Sequence, residues 1–134
     1  MDGTLALGRF SEPGRRGPFD WSRVGEDDPN LPVISIVQAL YCTGNKIIIM
    51  SGRSDVCRGD TSSWIKQHVG DFYERLLMRN DGDYRPDDVL KTELFNLHVN
   101  ERYDVIGVID DRDSVVSMWR ARGLMCAQVA PGNF

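Results

Sequence analysis

Residues 46–53, KIIIMSGR, and residues 103–112, YDVIGVIDDR, are the two stretches that decide the fold. Each opens with a short apolar run, Lys46–Met50 and Tyr103–Ile109, as is typical of a strand buried on both faces of a parallel sheet. Polar residues follow at once, SGR after the first run and DDR after the second. Ligands of open parallel sheets bind at the carboxyl ends of the strands, so we expect these polar residues to form a site.

Helical patterns alternate with these strands. Apolar residues recur at helical spacing from Val33 to Tyr41, with Asn30 as the expected N-cap and Gly44 as the expected end. The alternation predicts an α/β fold with a doubly wound, mainly parallel sheet. Its other predicted elements are a helix that residues 60–62 cap and Gly70 ends, a strand at Arg75–Arg79, a helix from Pro86 to about Leu97, a helix around Val115–Trp119 that Gly123 ends, and a strand at Met125–Val129.

The chain has 134 residues, of which 41% are hydrophobic and 27% charged, and its formal net charge is −4. That size predicts one domain over residues 1–134. Because residues 8–32 are rich in Gly, Pro, Asp and Arg, we expect a loop region of the active site at 1–32, functional or poorly ordered, and an α/β core at 33–134. No apolar run is long enough for a membrane span, and no secretory signal pattern is present. The three cysteines form no C-x-x-C pair. The acidic balance disfavours a broad nucleic-acid-binding face but allows a small pocket for one strand end.

The polar residues after the predicted strands suit the binding of a phosphoryl group. Asp110 and Asp111 are adjacent carboxylates that repel each other unless a cation lies between them, and their hard oxygens favour Mg²⁺. The hydroxyl of Ser51, the guanidinium of Arg53 and the ammonium of Lys91 could hold the phosphoryl oxygens. These residue types together therefore indicate phosphoryl chemistry.

Each of these features also has a plainer explanation when it is taken alone. Asp110 and Asp111 could be a helix N-cap and its surface neighbour. Ser51 and the glycine after it could form an ordinary turn at the end of a strand. Lys91 could form an exposed ion pair with Asp87, four residues earlier on the same helix face. Their joint occurrence, in this order and each after the expected element, favours one site.

Four motifs in sequence carry a resemblance to a known family. DGTL at residues 2–5, SGR after the first strand, the helical Lys91 and DD after the second strand resemble the motifs of the haloacid dehalogenase phosphohydrolases. More narrowly, the chain is similar to the 3′-phosphatase domain of bacteriophage polynucleotide kinase. The similarity lies in GRRGPFD (14–20), DYRPDDVLK (83–91) and the C-terminal stretch 109–134, and it covers nearly the whole chain. It implies a Rossmann-like haloacid dehalogenase fold with a minimal cap or none.

The resemblance also implies a role for each matching residue. Asp2 would act as general acid and base, Ser51 and Lys91 would hold the phosphoryl oxygens, and Mg²⁺ would be the cofactor. A plain loop or capping role is the alternative for Asp27. The implied catalytic residues are Asp2, Ser51, Arg53, Lys91, Asp110 and Asp111; the implied substrate-binding residues are Thr4, Arg16, Asp27, Gly52 and Asp87; the implied metal ligands are Asp2, Asp110 and Asp111.

The sequence departs from the family pattern at its start. The family motif is D-x-D-G-T, and its first Asp attacks phosphorus to form an aspartyl-phosphate. That Asp would lie two positions before Asp2, and the strand that precedes it is central in the family's sheet. We therefore expect Met1 to be an internal methionine of a longer product, which supplies the nucleophile and the first strand and has room for an upstream kinase domain. A homo-oligomer whose subunits supply the strand is the alternative.

The expected function is Mg²⁺-dependent hydrolysis of 3′-phosphates at DNA or RNA ends, which prepares strands for ligation. The expected partners are 3′-phosphorylated nucleic-acid ends, and no association with a membrane is expected. A phage-encoded protein would act in the cytoplasm of its host cell. One alternative is a small-molecule or nucleotide phosphatase of the same superfamily. The other is an inactive truncated fragment that acts only in binding. The motifs do not choose between DNA and RNA.

Overall fold

The computed structural model describes all of residues 1–134, which divide into two compact units, Met1–Asp83 and Tyr84–Phe134. The mixture of helices and short strands confirms the predicted α/β class. No helix combines the length and the apolar character needed to cross a membrane. The first unit contains β1 (Ala6–Leu7), β2 (Asp28–Pro29), α1 (Leu31–Cys42), β3 (Ile48–Ser54), α2 (Arg58–His68) and β4 (Arg75–Arg79); the second contains α3 (Asp87–His98), β5 (Val108–Asp110), α4 (Asp113–Ala121) and β6 (Cys126–Gln128).

In the first unit, β3 and β4 are parallel strands that α2 connects, so the three elements form a βαβ unit. Their register pairs Ile48 with Arg75 and Ser51 with Met78, and it shifts before Ser54 pairs with Arg79. The apolar core of this unit lies around these strands and the inner faces of the helices. Its buried members include Val33, Ile34, Val37, Ile49, Trp64, Ile65, Leu77 and Met78.

A short antiparallel pair closes the long N-terminal loop of the first unit. In this pair Ala6 of β1 faces Pro29 of β2, and Leu7 faces Asp28. Between the two strands the chain makes one 3₁₀ helix, Trp21–Glu26, whose Val24 is fully buried. The residues predicted to be a loop are therefore held at both ends, and the loop carries Arg16 and Asp27.

The second unit contains another parallel βαβ arrangement. Val108 of β5 pairs with Cys126 of β6, and α4 connects the two strands. Helix α4 buries Val115 and Val116, while the rings of Phe95 on α3 and Trp119 on α4 meet edge to face with centroids 5.3 Å apart. On α3 the predicted apolar face is only partly in the core, because Leu90 is buried whereas Val89 and Leu97 are exposed.

The strands differ from the predicted ones at their ends. Strand β3 begins at Ile48 rather than Lys46 and continues through Ser51 to Ser54, because β4 still offers pairing partners there. The predicted strand Tyr103–Ile109 is reduced to Val108–Asp110, because β6 supplies only three partner residues. The polar residues of SGR thus lie within a strand and not after it.

Helix α2 begins one turn earlier than predicted. The Ser54 side chain accepts a hydrogen bond from the Val56 N–H and starts a 3₁₀ turn, Asp55–Cys57, that leads directly into α2 at Arg58. Residues 60–62 therefore lie inside the helix, and their predicted capping role is wrong. Asn30 does precede α1, but its side chain makes no cap and donates to the carbonyl of Thr4 instead, at 2.8 Å.

The strands form three separate two-stranded sheets, β1-β2, β3-β4 and β5-β6. A single doubly wound sheet and a missing first strand remain predictions from the sequence. The assignment of residues 1–134 to one domain, with 1–32 as loop region and 33–134 as core, remains a prediction as well.

Candidate active site

The inward face of β3 changes from apolar to polar along its length. Ile49, Ser51 and Arg53 are all buried, as the two-residue period of a strand requires. The Ser51 hydroxyl accepts a hydrogen bond from the Arg53 backbone N–H at 3.2 Å. The carbonyl of Gly52 accepts from Arg79 Nε at 2.8 Å. The strand therefore delivers a fully buried guanidinium that needs several acceptors.

The guanidinium of Arg53 finds those acceptors in two carboxylates. Its Nε lies 2.9 Å from Asp2 Oδ1, and its Nη2 lies 2.5 Å from the same oxygen. Nη2 also donates to Asp27 Oδ2 at 2.7 Å. A planar guanidinium fixes the direction of each bonded carboxylate, which a lysine could not do. Arg53 therefore holds Asp2 and Asp27 in set orientations.

Arg16 reaches the same carboxylates from the N-terminal loop. Its Nε and Nη2 donate to the two oxygens of Asp27 at 2.8 and 2.7 Å, and Nη2 lies 3.5 Å from Asp2 Oδ1. Burial disfavours a charged guanidinium, but the hydrogen bonds and charge of Asp27, with the charge of Asp2, outweigh burial and raise the pKa of Arg16. We call Asp2, Arg16, Asp27 and Arg53 the arginine cluster.

Asp2 is the one member of the arginine cluster that solvent reaches. Its side chain is 28% exposed, whereas those of Arg16, Asp27 and Arg53 are at most 1% exposed. Asp2 lies in a tight turn in which Gly3 has φ +75° and the N–H groups of residues 4–6 point to the Met1 carbonyl. Thr4, next in the turn, is buried. The cluster thus presents one oriented carboxylate at an accessible position.

The second unit contains a smaller group of charged residues. Lys91 of α3 donates to Asp110 Oδ2 at 2.7 Å, and the Asp111 N–H donates to Asp110 Oδ1 at 3.0 Å. All three side chains belong to buried residues. Burial by itself would raise the pKa of the Asp110 carboxyl, but the charge and hydrogen bond of Lys91 lower it overall. We call Lys91, Asp110 and Asp111 the lysine cluster.

The C-terminal segment of the chain supports the turn that carries the lysine cluster. Gln128 Nε2 donates to the Asp111 carbonyl at 2.9 Å and to Asp113 Oδ1 at 2.6 Å. The Gly132 carbonyl accepts from the Asp113 N–H at 2.8 Å, at the start of α4. A Cβ on Gly132 would lie 1.9 Å from the Asp111 carbonyl oxygen, so only glycine fits there.

Several plainer explanations of these residues are wrong. Asp110 and Asp111 are both buried, and neither occupies the N-cap position of α4, which belongs to Arg112. Lys91 is 5% exposed, so it forms no exposed ion pair. Asp87, in contrast, is half-buried, and its Oδ2 atom lies 3.6 Å from Arg112 Nη1. Asp27 follows the 3₁₀ helix, but its carboxylate serves the arginine cluster and not a cap.

Mg²⁺ is the metal that the resemblance implies, and the donors of the lysine cluster fit it in kind. The cluster contains two buried carboxylates, whose hard oxygens are ligands that Mg²⁺ prefers, and the Lys91 ammonium pairs with Asp110. The number of ligands is too small for a complete metal site, because no group of three or more His, Cys, Asp or Glu side chains lies together. Asp110 and Asp111 by themselves therefore do not make up a complete metal site, and their role as metal ligands remains a prediction.

Sequence reasoning missed the residues that support the two clusters. Thr61 and Trp64 of α2 contact Arg53 and the Asp27 backbone, and Gln128 and Gly132 contact the turn after β5. The sequence pattern predicts a helix cap for Thr61, a helix face for Trp64, and a terminal stretch for Gln128 and Gly132. No local pattern marks them, since each acts on a residue distant in the sequence.

Comparison with known proteins gives the family. A family model described as the polynucleotide kinase PNKP phosphatase domain matches residues 1–134, which is the whole chain. The chain belongs to the polynucleotide kinase phosphatase family. This confirms the haloacid dehalogenase resemblance and the similarity to a polynucleotide kinase phosphatase domain.

Parts of longer proteins are similar to this chain. A protein of Autographa californica nuclear polyhedrosis virus that bears the name bifunctional polynucleotide kinase/RNA ligase is 39% identical over 122 residues, 90% of this chain and 17% of the viral protein. Chains in two solved structures of a Pnkp1/Rnl/Hen1 complex, one titled an RNA repair complex, are 38% identical with a TM-score of 0.91. They match 100% of this chain, which spans 42% and 45% of theirs.

Proposed function

We propose that this chain catalyses the Mg²⁺-dependent removal of phosphate from the 3′ ends of RNA or DNA strands. The observation that carries the proposal is the presentation of Asp2 by the arginine cluster. A carboxylate that two N–H groups of Arg53 orient, and that is still 28% exposed, can exchange a proton with a bound substrate. The three buried members of the cluster serve to hold it there.

In the proposed reaction an aspartate two positions before Asp2, at a position that the sequence of 134 residues does not include, attacks phosphorus. Its oxygen forms a bond to phosphorus while the bond to the 3′ oxygen of the strand breaks. Asp2 donates a proton to that leaving oxygen, and it then takes a proton from the water that attacks the aspartyl-phosphate. Phosphate leaves, and both aspartates return to their initial states.

The other motif residues have supporting roles in the proposal. Ser51 and Lys91 hold the phosphoryl oxygens, and Asp110 and Asp111 hold Mg²⁺. The ion, when bound, neutralises negative charge on the transferring phosphoryl group. Direct substrate binding is proposed for Thr4, Gly52 and Asp87, and an indirect contribution for Arg16 and Asp27. Because Arg16 and Asp27 are almost fully buried, we propose that these two act by orienting Asp2 and Arg53.

We further propose that the chain is one part of a longer end-repair protein. The viral relative bears the name of a polynucleotide kinase joined to an RNA ligase, and this chain corresponds to 17% of it. Removal of a 3′-phosphate leaves the hydroxyl that a ligase requires, so the proposed reaction fits beside kinase and ligase activities. RNA is favoured as the substrate because the matched structures are titled as an RNA repair complex and a complex of the same proteins.

Phosphate release tests the proposal. The complete protein, expressed from its own coding sequence, is given RNA and DNA oligonucleotides with a 3′-phosphate, the same oligonucleotides with a 5′-phosphate, mononucleotides and sugar phosphates. We expect release from the 3′-phosphorylated strands, loss of release with EDTA and recovery with added Mg²⁺. Preference for monomeric esters would show a small-molecule phosphatase instead. Strand binding without any release, unchanged by Asp2→Asn, would show a protein that only binds.

A further inference from the structure

Thr61 is the fourth residue of α2, and it is fully buried. Its hydroxyl oxygen accepts a hydrogen bond from Arg53 Nη1 at 3.2 Å. The Cys57 sulfur, one turn earlier, lies 3.6 Å from the same oxygen. The hydroxyl therefore lies between a guanidinium of the arginine cluster and a thiol.

The direction of these hydrogen bonds follows from the number of protons. Cys57 Sγ donates its proton to the Ser54 carbonyl at 3.1 Å, so the sulfur can only accept from Thr61. The Thr61 proton points to that sulfur, which leaves an oxygen lone pair directed at Arg53. Arg53 thus donates to Thr61, Thr61 to Cys57, and Cys57 to the Ser54 carbonyl. This series of hydrogen bonds fixes the direction in which the Thr61 hydroxyl proton points.

We propose that Thr61 is a positioning residue that holds the Arg53 guanidinium in the plane from which it orients Asp2. Nε and Nη2 of Arg53 already bind Asp2 and Asp27, and Thr61 binds the remaining Nη1 edge. With all three nitrogens bonded, the guanidinium cannot rotate about its long side chain. The consequence for catalysis rests on the proposed phosphatase function, whereas the contact with Arg53 does not.

Helix α2 supports the same cluster at a second point. Trp64, three residues after Thr61 on the buried face, donates its indole N–H to the Asp27 carbonyl at 2.8 Å. One helix face thus fixes the Arg53 side chain and the backbone that carries Asp27. This makes α2 a positioning element, and it explains why a polar threonine occupies a fully buried site.

Substitutions at Thr61 in the complete protein separate positioning from packing. Thr61→Val keeps the volume and removes the acceptor, and Thr61→Ser keeps the acceptor and removes the methyl group. We expect Thr61→Val to lower kcat for a 3′-phosphorylated oligonucleotide by roughly 10- to 100-fold, with KM little changed, because a misplaced group costs that much. Thr61→Ser should recover most of the rate. Thr43→Val, at an exposed threonine of the first unit, is the matched control.

Nuclear magnetic resonance gives a readout that does not need activity. The Arg53 Nε–H signal, assigned by its loss in Arg53→Lys, should exchange slowly with water in the wild type and in Thr61→Ser, and rapidly in Thr61→Val. If the valine variant does not fold, Thr61→Ala compared with Thr61→Ser carries the same test, since the two differ in the hydroxyl.

Two results would overturn the positioning role. One is a Thr61→Val protein with wild-type kcat and a protected Arg53 signal; the other is a Thr61→Ser protein as impaired as the valine variant, which would show that the methyl group matters and the hydroxyl does not. A wild type that releases no phosphate, with the Arg53 signal still dependent on the hydroxyl, would refute the proposed function and leave the contact established.

Discussion

The arginine cluster of the first unit and the lysine cluster of the second hold carboxylates in different ways. Two guanidiniums face two carboxylates in the arginine cluster, so its formal charges balance. In the lysine cluster one ammonium pairs with Asp110, and Asp111 adds a second buried carboxylate. A guanidinium imposes direction on its partner, whereas an ammonium is a compact charge. The first arrangement suits the orientation of an acid, and the second suits the attraction of a cation.

The two clusters also differ in what supports them. Side chains of α2, Thr61 and Trp64, bind the arginine cluster. The turn of the lysine cluster is held by main-chain contact with Gly132 and by the side-chain amide of Gln128. The first cluster should therefore be sensitive to loss of hydrogen-bonding groups, and the second to added volume.

Loss of Arg53 should have the largest effect on the molecule. Arg53→Met leaves Asp27 buried with one cation instead of two and releases Asp2, so we expect the free energy of unfolding to fall by about 3–5 kcal/mol and phosphate release to be lost. Arg53→Lys should recover part of the stability, because lysine restores the positive charge but not the planar guanidinium that orients Asp2. Urea unfolding with a phosphate assay measures both, and an unchanged midpoint would mean that the cluster contributes little to folding.

Loss of the Asp110 carboxylate should have a smaller effect that depends on pH. The pKa of Asp110 is lowered in the folded chain, so its stabilisation is fully present above the unfolded value of about 3.9 and is lost as the pH falls through the lower folded value. We expect Asp110→Asn to reduce the free energy of unfolding by about 2–3 kcal/mol at pH 7, and the difference from wild type to shrink in acid.

Unfolding measured between pH 7 and pH 3 tests this dependence, with the exposed Asp104→Asn as control. A difference between Asp110→Asn and wild type that stayed constant over that range would contradict the assigned direction of the pKa.

A methyl group on Gly132 should disturb the lysine cluster without touching a charge. Gly132→Ala would place Cβ 1.9 Å from the Asp111 carbonyl oxygen, so the C-terminal segment must move away. We expect a loss of about 1–3 kcal/mol in the free energy of unfolding, as for overpacking in other cores. Gly17→Ala, which meets no atom within 4 Å, is the matched control in the first unit. Equal stability of the two variants would show that the close approach is not needed.

An exposed ion pair should matter least. Lys66 and Asp71 lie 3.6 Å apart with side chains 52% and 72% exposed. Asp71→Asn should change the free energy of unfolding by less than about 0.5 kcal/mol, because solvent and salt screen such pairs. Thermal unfolding at low and high salt is the measurement, and a loss comparable to that of Asp110→Asn would remove the contrast between buried and exposed pairs.

Much of the fold follows from local patterns. The helical spacing after Pro32 and the apolar runs before SGR and DDR predicted α1, β3 and β5 near their observed places. Their ends could not be predicted, because a strand ends where its partner ends: β4 extends β3 to Ser54, and β6 shortens β5 to three residues. Before α2, the Ser54 side chain accepts a hydrogen bond from the Val56 N–H and starts the turn that leads into the helix.

The sequence by itself determined which groups are candidates for the chemistry: the carboxylates, the lysine, the arginines and the serine stand at motif positions that can be recognised without coordinates. Only the tertiary structure decided how they are paired. In the folded chain Lys91 pairs with Asp110, Arg16 and Arg53 both bind Asp27, and Asp2 is the accessible carboxylate of the arginine cluster. The physical reason is that a buried charge takes the nearest partner that folding provides, and that partner is distant in the sequence.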